Sequence, residues 1–208
     1  MHISSIEEIL KDFKSGHFVI LVDDKERENE GDLILAAEFI DAAKINFMSK
    51  EARGLIYLAM QPKQIERLKL PMLESDLHKS NLNHAAFTYS IEASHGITTG
   101  ISAKDRAHTI RVAINPTATH LDISCPGHVF PLKAKAGGVL ERAGHTEAGV
   151  DLAVLCNLNA SAVACEIMDE EGDAAKGADL QKFADRFRIK IGTVEDLINY
   201  RKSAQKNL

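Results

Sequence analysis

No stretch of about 18 consecutive apolar residues occurs in the chain, so no membrane-spanning helix is expected. Cysteine is scarce. The 3 residues Cys125, Cys156 and Cys165 are odd in number and form no C-x-x-C pair. That argues against a disulfide framework and fits reduced thiols in a cytoplasm. Cys156 and Cys165 lie in apolar runs and read as core residues. Cys125, which precedes Pro126-Gly127, is expected to be more exposed, and nothing nearby marks it as a nucleophile. There is no Cys-rich or multi-His cluster of the kind zinc prefers. Basic charge does not dominate either: 25 Lys and Arg against 30 Asp and Glu leave a formal net charge of -5, which argues against nucleic acid as a partner. The N-terminal Met1-His2-Ile3-Ser4-Ser5 lacks the basic and apolar regions of a signal peptide, so a cytoplasmic location is expected. Internal repeats, long linkers, a P-loop and a dinucleotide fingerprint are all missing. What is present is a chain of 208 residues, 45% hydrophobic and 26% charged, sufficient for one sizeable core and read as one domain over 1–208.

Helix and strand signals alternate along it. Ser4 followed by Glu7 reads as a capping box for a helix with apolar Ile6, Ile9, Leu10 and Phe13 on one face and Gly16 as its stop. Strands are predicted over 18–22, 33–37, 55–60, 87–93, 131–136 and 161–168. Helices are predicted over 41–53, 104–114, 147–158, 179–188 and 195–202, with Asp41 and Thr193 as starting residues. The segment 71–84 is polar and irregular and reads as a mobile loop. This alternation predicts an α/β (α+β) fold: a single-domain, three-layer α/β/α sandwich around a mixed sheet.

The densest chemical signal follows the apolar run Phe18-Val19-Ile20-Leu21-Val22. Asp23, Asp24, Glu26, Glu28, Glu30 and Asp32 crowd into ten positions around Arg27. A β-branched run leading into such a segment reads as a buried strand delivering carboxylates to an edge of the sheet. Like charges this close repel, so a cation, a metal or solvent must offset them. Hard divalent cations such as Mg²⁺ take oxygen-rich sites of this kind; a solvated surface turn fits the same residues. Four other clusters have comparable double readings. Gly96-Ile97-Thr98-Thr99-Gly100 leads into Ile101 to Arg106, either an anion cradle of small residues and hydroxyls or a plain turn and helix cap. Arg142-Ala143-Gly144-His145-Thr146-Glu147 opens a helix, where an Arg, a Thr hydroxyl and N-terminal amides suit a phosphate and His145 a metal. His145 also reads as a cap or surface residue. His128, set in Cys125-Pro126-Gly127-His128-Val129-Phe130-Pro131, is restricted in direction and suits a general acid or base, or a satisfied structural role. Glu166 shares a strand face with Ala162, Ala164 and Met168, so it must be paired, ligated or raised in pKa unless it marks the strand's wet end.

Taken together these motifs resemble one family. Asp23-Asp24 with Arg27 to Asp32, Gly96 to Gly100, Pro126 to Leu132, Ala136-Gly137-Gly138-Val139-Leu140, Arg142 to Glu147 and Cys165-Glu166 are similar, in order, to 3,4-dihydroxy-2-butanone 4-phosphate synthase of riboflavin biosynthesis. The likeness spans roughly residues 6–201. Bifunctional members carry a fused GTP cyclohydrolase II domain, for which this chain leaves no room, so a monofunctional form is expected. Two departures stand out: Ala85 where members have Thr, and Tyr57 near a position where they often have Cys.

The resemblance implies conversion of D-ribulose 5-phosphate to L-3,4-dihydroxybutan-2-one 4-phosphate and formate, through enolisation, dehydration, skeletal rearrangement and loss of one carbon. It implies Glu28 and His145 as protein ligands of two Mg²⁺ ions, with Mn²⁺ as a substitute. Arg27, Glu28 and Asp32 would contact substrate. Thr98, Thr99, Arg142, Ala143, Gly144, His145 and Thr146 would surround it, Arg142 and Thr146 with one of the two threonines holding its phosphate. His128 and Glu166 would be catalytic. It also implies a homodimer that shares residues across its interface. Two other classes fit the residues taken singly: a different metal-dependent sugar-phosphate enzyme, and a non-catalytic ligand-binding module.

Overall fold

The computed structural model describes residues 1–73 and 85–206, the side chains as far as residue 203. The first helix, α1 (Ile6–Lys14), buries Ile6, Ile9 and Phe13 on one stripe. Its capping box is Ser5 with Glu8, one residue later than predicted. The reason is tertiary: the buried Ser4 donates its backbone N–H to the Ile191 carbonyl at 2.7 Å, which commits it to the sheet and moves the cap on.

Among the described residues seven strands form one mixed sheet: β1 (Val19–Val22), β2 (Gly31–Ala36), β3 (Arg53–Met60), β4 (Ile91–Ala93), β5 (Ile123–Lys133), β6 (Ser161–Ile167) and β7 (Ile191–Thr193), in the order β4-β5-β3-β6-β2-β1-β7. β1 and β2 are an antiparallel hairpin whose connection is the acidic segment. β7 pairs parallel to β1 and covers its outer side. The carboxylates therefore stand where β1 and β2 end, and β7, not β1, is the outermost strand on that side of the sheet. β2 and β3 both pair antiparallel to β6, while β3 and β5 are parallel.

Successive strand residues feed two cores. Ile20, Leu33, Leu35, Leu58 and Val163 pack with α2 (Ala42–Phe47), α4 (Ala103–Ile114) and α6 (Ala178–Phe187). Val19, Leu21, Ile34, Ala162 and Ala164 pack with α1, α5 (His145–Leu155) and α7 (Val194–Lys206). This is the three-layer sandwich that alternation along strands demands when both faces are covered. Aromatic contacts join the first helical layer: Phe47 stacks on Phe18 at 5.2 Å and meets Phe187 edge-on at 4.9 Å between ring centroids.

Several boundaries differ from the sequence reading. The helix capped by Asp41 stays α-helical only to Phe47, continues as a π turn over Met48–Ala52, and stops at Arg53 with φ +70°. The strand predicted over 87–93 contracts to β4, with Phe87 and Thr88 making only isolated bridges to Leu132 and Met72. The strand predicted from 131 begins at Ile123. The Pro126-Gly127 pair does not end it, because the β4–β5 ladder is irregular there and asks no amide of Pro126. Thr193 is both the last residue of β7 and the cap of α7, accepting the Asp196 amide at 3.0 Å. The short α3 (Pro62–Arg67) and β7 carry too few residues to register as periodic patterns. Of the loop predicted over 71–84, residues 74–84 lie outside the described residues. Among the described residues no helix is long and apolar enough to cross a membrane.

Candidate functional site

Three elements converge at the C-terminal end of β1. The hairpin loop 23–30 is held by its own carboxylates: Asp23 Oδ1 accepts the Glu30 amide at 2.9 Å and Asp24 Oδ1 the Glu26 amide at 2.7 Å. Arg27 Nη1 bridges Asp23 Oδ2 at 2.6 Å and Glu28 Oε2 at 2.7 Å, so part of the acidic repulsion is offset internally. Burial opposes the Arg27 charge, but its bonds to Asp23 and Glu28 hold its pKa above the ordinary value. Burial, then repulsion from Glu28 and Asp32, raises the Glu30 carboxyl.

The second element is the N-terminus of α5. A turn over Gly138–Leu140 leads to Arg142, whose Nη1 pairs with the buried Glu147 at 2.6 Å; Glu147 also accepts the Lys135 amide at 3.0 Å. The helix cap is Gly144, with no side chain bonded to the first amides. A Cβ on Gly144 would press on the Arg142 guanidinium, so glycine lets that group lie against the helix start. Helix N-terminal amides beside an Arg suit an anion. His145 and Thr146 open the helix and are buried.

The third element is the β3–β6 pair. Glu166 lies opposite Asp32 in the β2–β6 register, and its Oε2 accepts the Leu55 amide at 2.7 Å. Burial, with the Asp32 charge next, pushes its pKa up to about 7. Gly54 leaves space here, since a Cβ would strike the Glu166 carbonyl and carboxylate. The buried Tyr57 hydroxyl donates to Asp32 Oδ2 at 2.6 Å. Burial and that neighbouring charge hold its pKa well above the ordinary value, so it remains a donor.

Together these residues enclose a cavity of about 140 Å³ lined by Arg27, Glu28, Glu30, Asp32, Tyr57 and Glu166, with His145 and Thr146 from α5 and Arg142 from the turn before it. The ligand atoms of Asp23, Glu28 and His145 lie within 4.8 Å of one another. His145 Nδ1 is 3.5 Å from Asp32 Oδ1, and its buried Nε2 has no hydrogen-bond partner. A buried imidazole nitrogen without a partner is rare, and next to two carboxylates it suits a divalent cation. The donor set is oxygen-rich with one imidazole nitrogen, which fits Mg²⁺ or Mn²⁺.

Thr98, Thr99 and His128 do not line this cavity. They belong to a second cluster at the β4–β5 end of the sheet. The Thr98 hydroxyl donates its one proton to the buried Asp105 at 2.7 Å, and the amides of Thr98 and Gly100 donate to the same carboxylate at 3.2 and 3.1 Å. These bonds, led by that from the Thr98 side chain, lower the Asp105 pKa. Thr99 is exposed, as is His128, whose Nδ1 bonds to Glu92. Ala143 is an exposed linker residue. The site residues that sequence reading did not single out are Asp23 as a third donor, Tyr57, Glu30, Glu147 and Glu92. Asp23 was visible within the acidic run. Glu30 was visible in the same run and Glu147 in the segment that opens the helix, whereas Tyr57 and Glu92 are recognisable only once strand register and loop packing are known. Ala85, one departure from the family pattern, and Tyr57, which lies near the other, both fall in the cavity wall.

The sequence pattern of the 3,4-dihydroxy-2-butanone 4-phosphate synthase family matches residues 7–200. A 3,4-dihydroxy-2-butanone 4-phosphate synthase of Neisseria meningitidis is 53% identical over 208 residues, covering 100% of this chain and 56% of the relative. The chain thus spans about half the length of the curated relatives it matches. Among solved structures, a two-domain 3,4-dihydroxy-2-butanone 4-phosphate synthase from A. baumannii superposes with a TM-score of 0.90 at 47% identity, over 95% of this chain and 58% of that one. A synthase of the same name in complex with two magnesium ions superposes with a TM-score of 0.89 at 38% identity, over 99% of this chain and 100% of that one.

Proposed function

The chain belongs to the 3,4-dihydroxy-2-butanone 4-phosphate synthase family, and from that premise we propose that it converts D-ribulose 5-phosphate to L-3,4-dihydroxybutan-2-one 4-phosphate and formate in the cytoplasm. The observation that carries this reading is the meeting of Asp23, Glu28 and His145 within 4.8 Å beside a cavity that Glu166 and Arg142 also line. Glu28 and His145 would hold Mg²⁺, as the solved relative holds two such ions, with Asp23 within reach. A bound cation supplies positive charge against the negative charge that develops on substrate oxygens when a proton leaves beside the ketone.

The protein's own residues do the rest. Arg142, the Thr146 hydroxyl and the first amides of α5, reached past Ala143 and Gly144, bind the phosphate. Arg27 and Asp32 orient the sugar hydroxyls, with Tyr57 holding Asp32 in place. Glu166, with a pKa of about 7, is suited to accept and return a proton near neutrality. His128 is the second acid–base group. It reaches the cavity from the other protomer of a homodimer, together with Thr99; the Thr98 hydroxyl proton is already given to Asp105.

The test is direct. Purified protein with D-ribulose 5-phosphate and Mg²⁺ should release formate, EDTA should abolish the release, and Mg²⁺ or Mn²⁺ should restore it. Isomerised sugar phosphate without formate would assign the site to a different sugar-phosphate enzyme. Tight binding without turnover would mark a ligand-binding module.

A further inference from the structure

Glu92 belongs to none of the sequence motifs, yet backbone and glycines close in on it from several sides. β4 and β5 pair as Ile91↔Val129 and then Glu92↔Ser124, so Cys125-Pro126-Gly127-His128 bulge out of β5 opposite a single step of β4. Bulges re-aim side chains. This one turns His128 back over Glu92, and His128 Nδ1 bonds to Glu92 Oε1. Glu92 is in turn fenced by backbone. A Cβ on Gly100 would overlap its carboxylate, and one on Gly127 would overlap its Cγ and the Ile91 carbonyl. The bulge itself is tied down by the Gly127 amide, which donates to Ser90 Oγ at 3.1 Å. The Glu92 side chain is 16% exposed, while that of His128 is 43% exposed.

We propose that Glu92 is the positioning residue for His128, holding its imidazole as the Nδ1–H tautomer so that Nε2 faces outward as the proton acceptor. An ionised carboxylate only accepts hydrogen bonds, so the nitrogen facing it must carry a hydrogen and the other nitrogen of a neutral ring is left with its lone pair. A carboxylate that orients a histidine in this way fixes both tautomer and direction, as it does in hydrolytic triads and around metal-bound histidines. The glycines at 100 and 127 are part of the same device: they admit the carboxylate and leave it one direction to point.

This inference rests on His128 being an acid–base group of the reaction, so the experiment separates the two. The variants are Glu92→Gln, Glu92→Asp and His128→Ala, with the Glu92→Gln/His128→Ala double, each checked for folding by circular dichroism. The parent and Glu92→Gln are also examined by ¹⁵N NMR of the histidine rings, with His128→Ala assigning the resonance. The parent should show His128 as the Nδ1–H tautomer, and Glu92→Gln should show a mixture. Glu92→Gln should lower kcat roughly 10–100-fold with KM nearly unchanged, the range for loss of an orienting partner. Glu92→Asp should recover part of kcat, and the double variant should be no slower than His128→Ala alone. An Nε2–H tautomer in the parent would overturn the proposal without recourse to any variant. Parental kcat in folded Glu92→Gln, with His128→Ala inactive, would overturn the role of Glu92 alone. Parental turnover in His128→Ala would instead remove His128 from the reaction.

Discussion

At the scale of single residues, Glu166 carries the clearest pH signature. Its folded-state pKa of about 7 lies above the ordinary 4.5, so the folded protein holds a proton that the unfolded chain releases earlier. Its contribution to stability is therefore full below about pH 4.5 and is lost as pH rises through 7. In metal-free protein, Glu166→Gln should raise thermal stability at pH 8, by roughly 1–3 kcal/mol, and the gain should vanish near pH 4.5. A difference between parent and variant that does not change with pH would place the proton elsewhere. The same substitution should lower kcat by at least about 10²-fold if Glu166 transfers a proton. Arg142 makes a different prediction. Its pairing with Glu147 at 2.6 Å aims the guanidinium at the start of α5, so Arg142→Ala should raise KM for D-ribulose 5-phosphate far more than it lowers the melting temperature. An unchanged KM would assign the residue a structural role.

Among the elements, α5 matters most, because its first turn supplies His145 and Thr146 while its body lies in the core. All residues from His145 to Ala153 are buried, so the helix has almost no polar face on which to slide. Gly149 sets its distance from the sheet: a Cβ there would come within 2.9 Å of Ala162 Cβ on β6. Ala162, Ala164 and Glu166 alternate on one face of that strand, so helix position and the proposed catalytic carboxylate share a single contact surface. Gly149→Val should cost about 1–3 kcal/mol through overpacking. It should also weaken Mg²⁺ binding, because His145 moves with the helix. Isothermal titration alongside thermal unfolding checks this, and a stability loss with unaltered metal affinity would show that the turn at His145 is held independently.

The whole molecule has its proposed chemistry in two places. Glu28, His145, Arg142 and Glu166 surround one cavity, whereas Thr99, His128 and Glu92 occupy the β4–β5 end of the sheet. A homodimer that shares residues across its interface would unite them, and this yields a complementation test. His128→Ala and Glu166→Ala, each inactive alone, should recover about a quarter of parental activity when refolded together. Half of the dimers are then mixed, and each mixed dimer has one intact site. Absence of any recovery, with mixed dimers verified by mass, would require each protomer to build its own complete site.

The amino-acid sequence determined the alternating elements, both apolar faces of the strands, and the acidic run with its arginine, because these are written in local periodicity and charge. The fold class and most of the residues that line the cavity follow from that local information and from the ordered motifs. It also marked His145 at a helix start and Glu166 on an apolar strand, since such residues break the surrounding pattern. Register is not local, and only the tertiary structure decided it. It set Asp32 opposite Glu166, brought the Tyr57 hydroxyl to Asp32, and moved the first cap from Ser4 to Ser5 because a distant carbonyl claimed Ser4. The irregular β4–β5 pairing that turns His128 onto Glu92, and separates both from the cavity of the same chain, depends on contacts between segments 30 or more residues apart. Periodicity carries no information about such contacts, whereas packing and hydrogen bonding specify them completely.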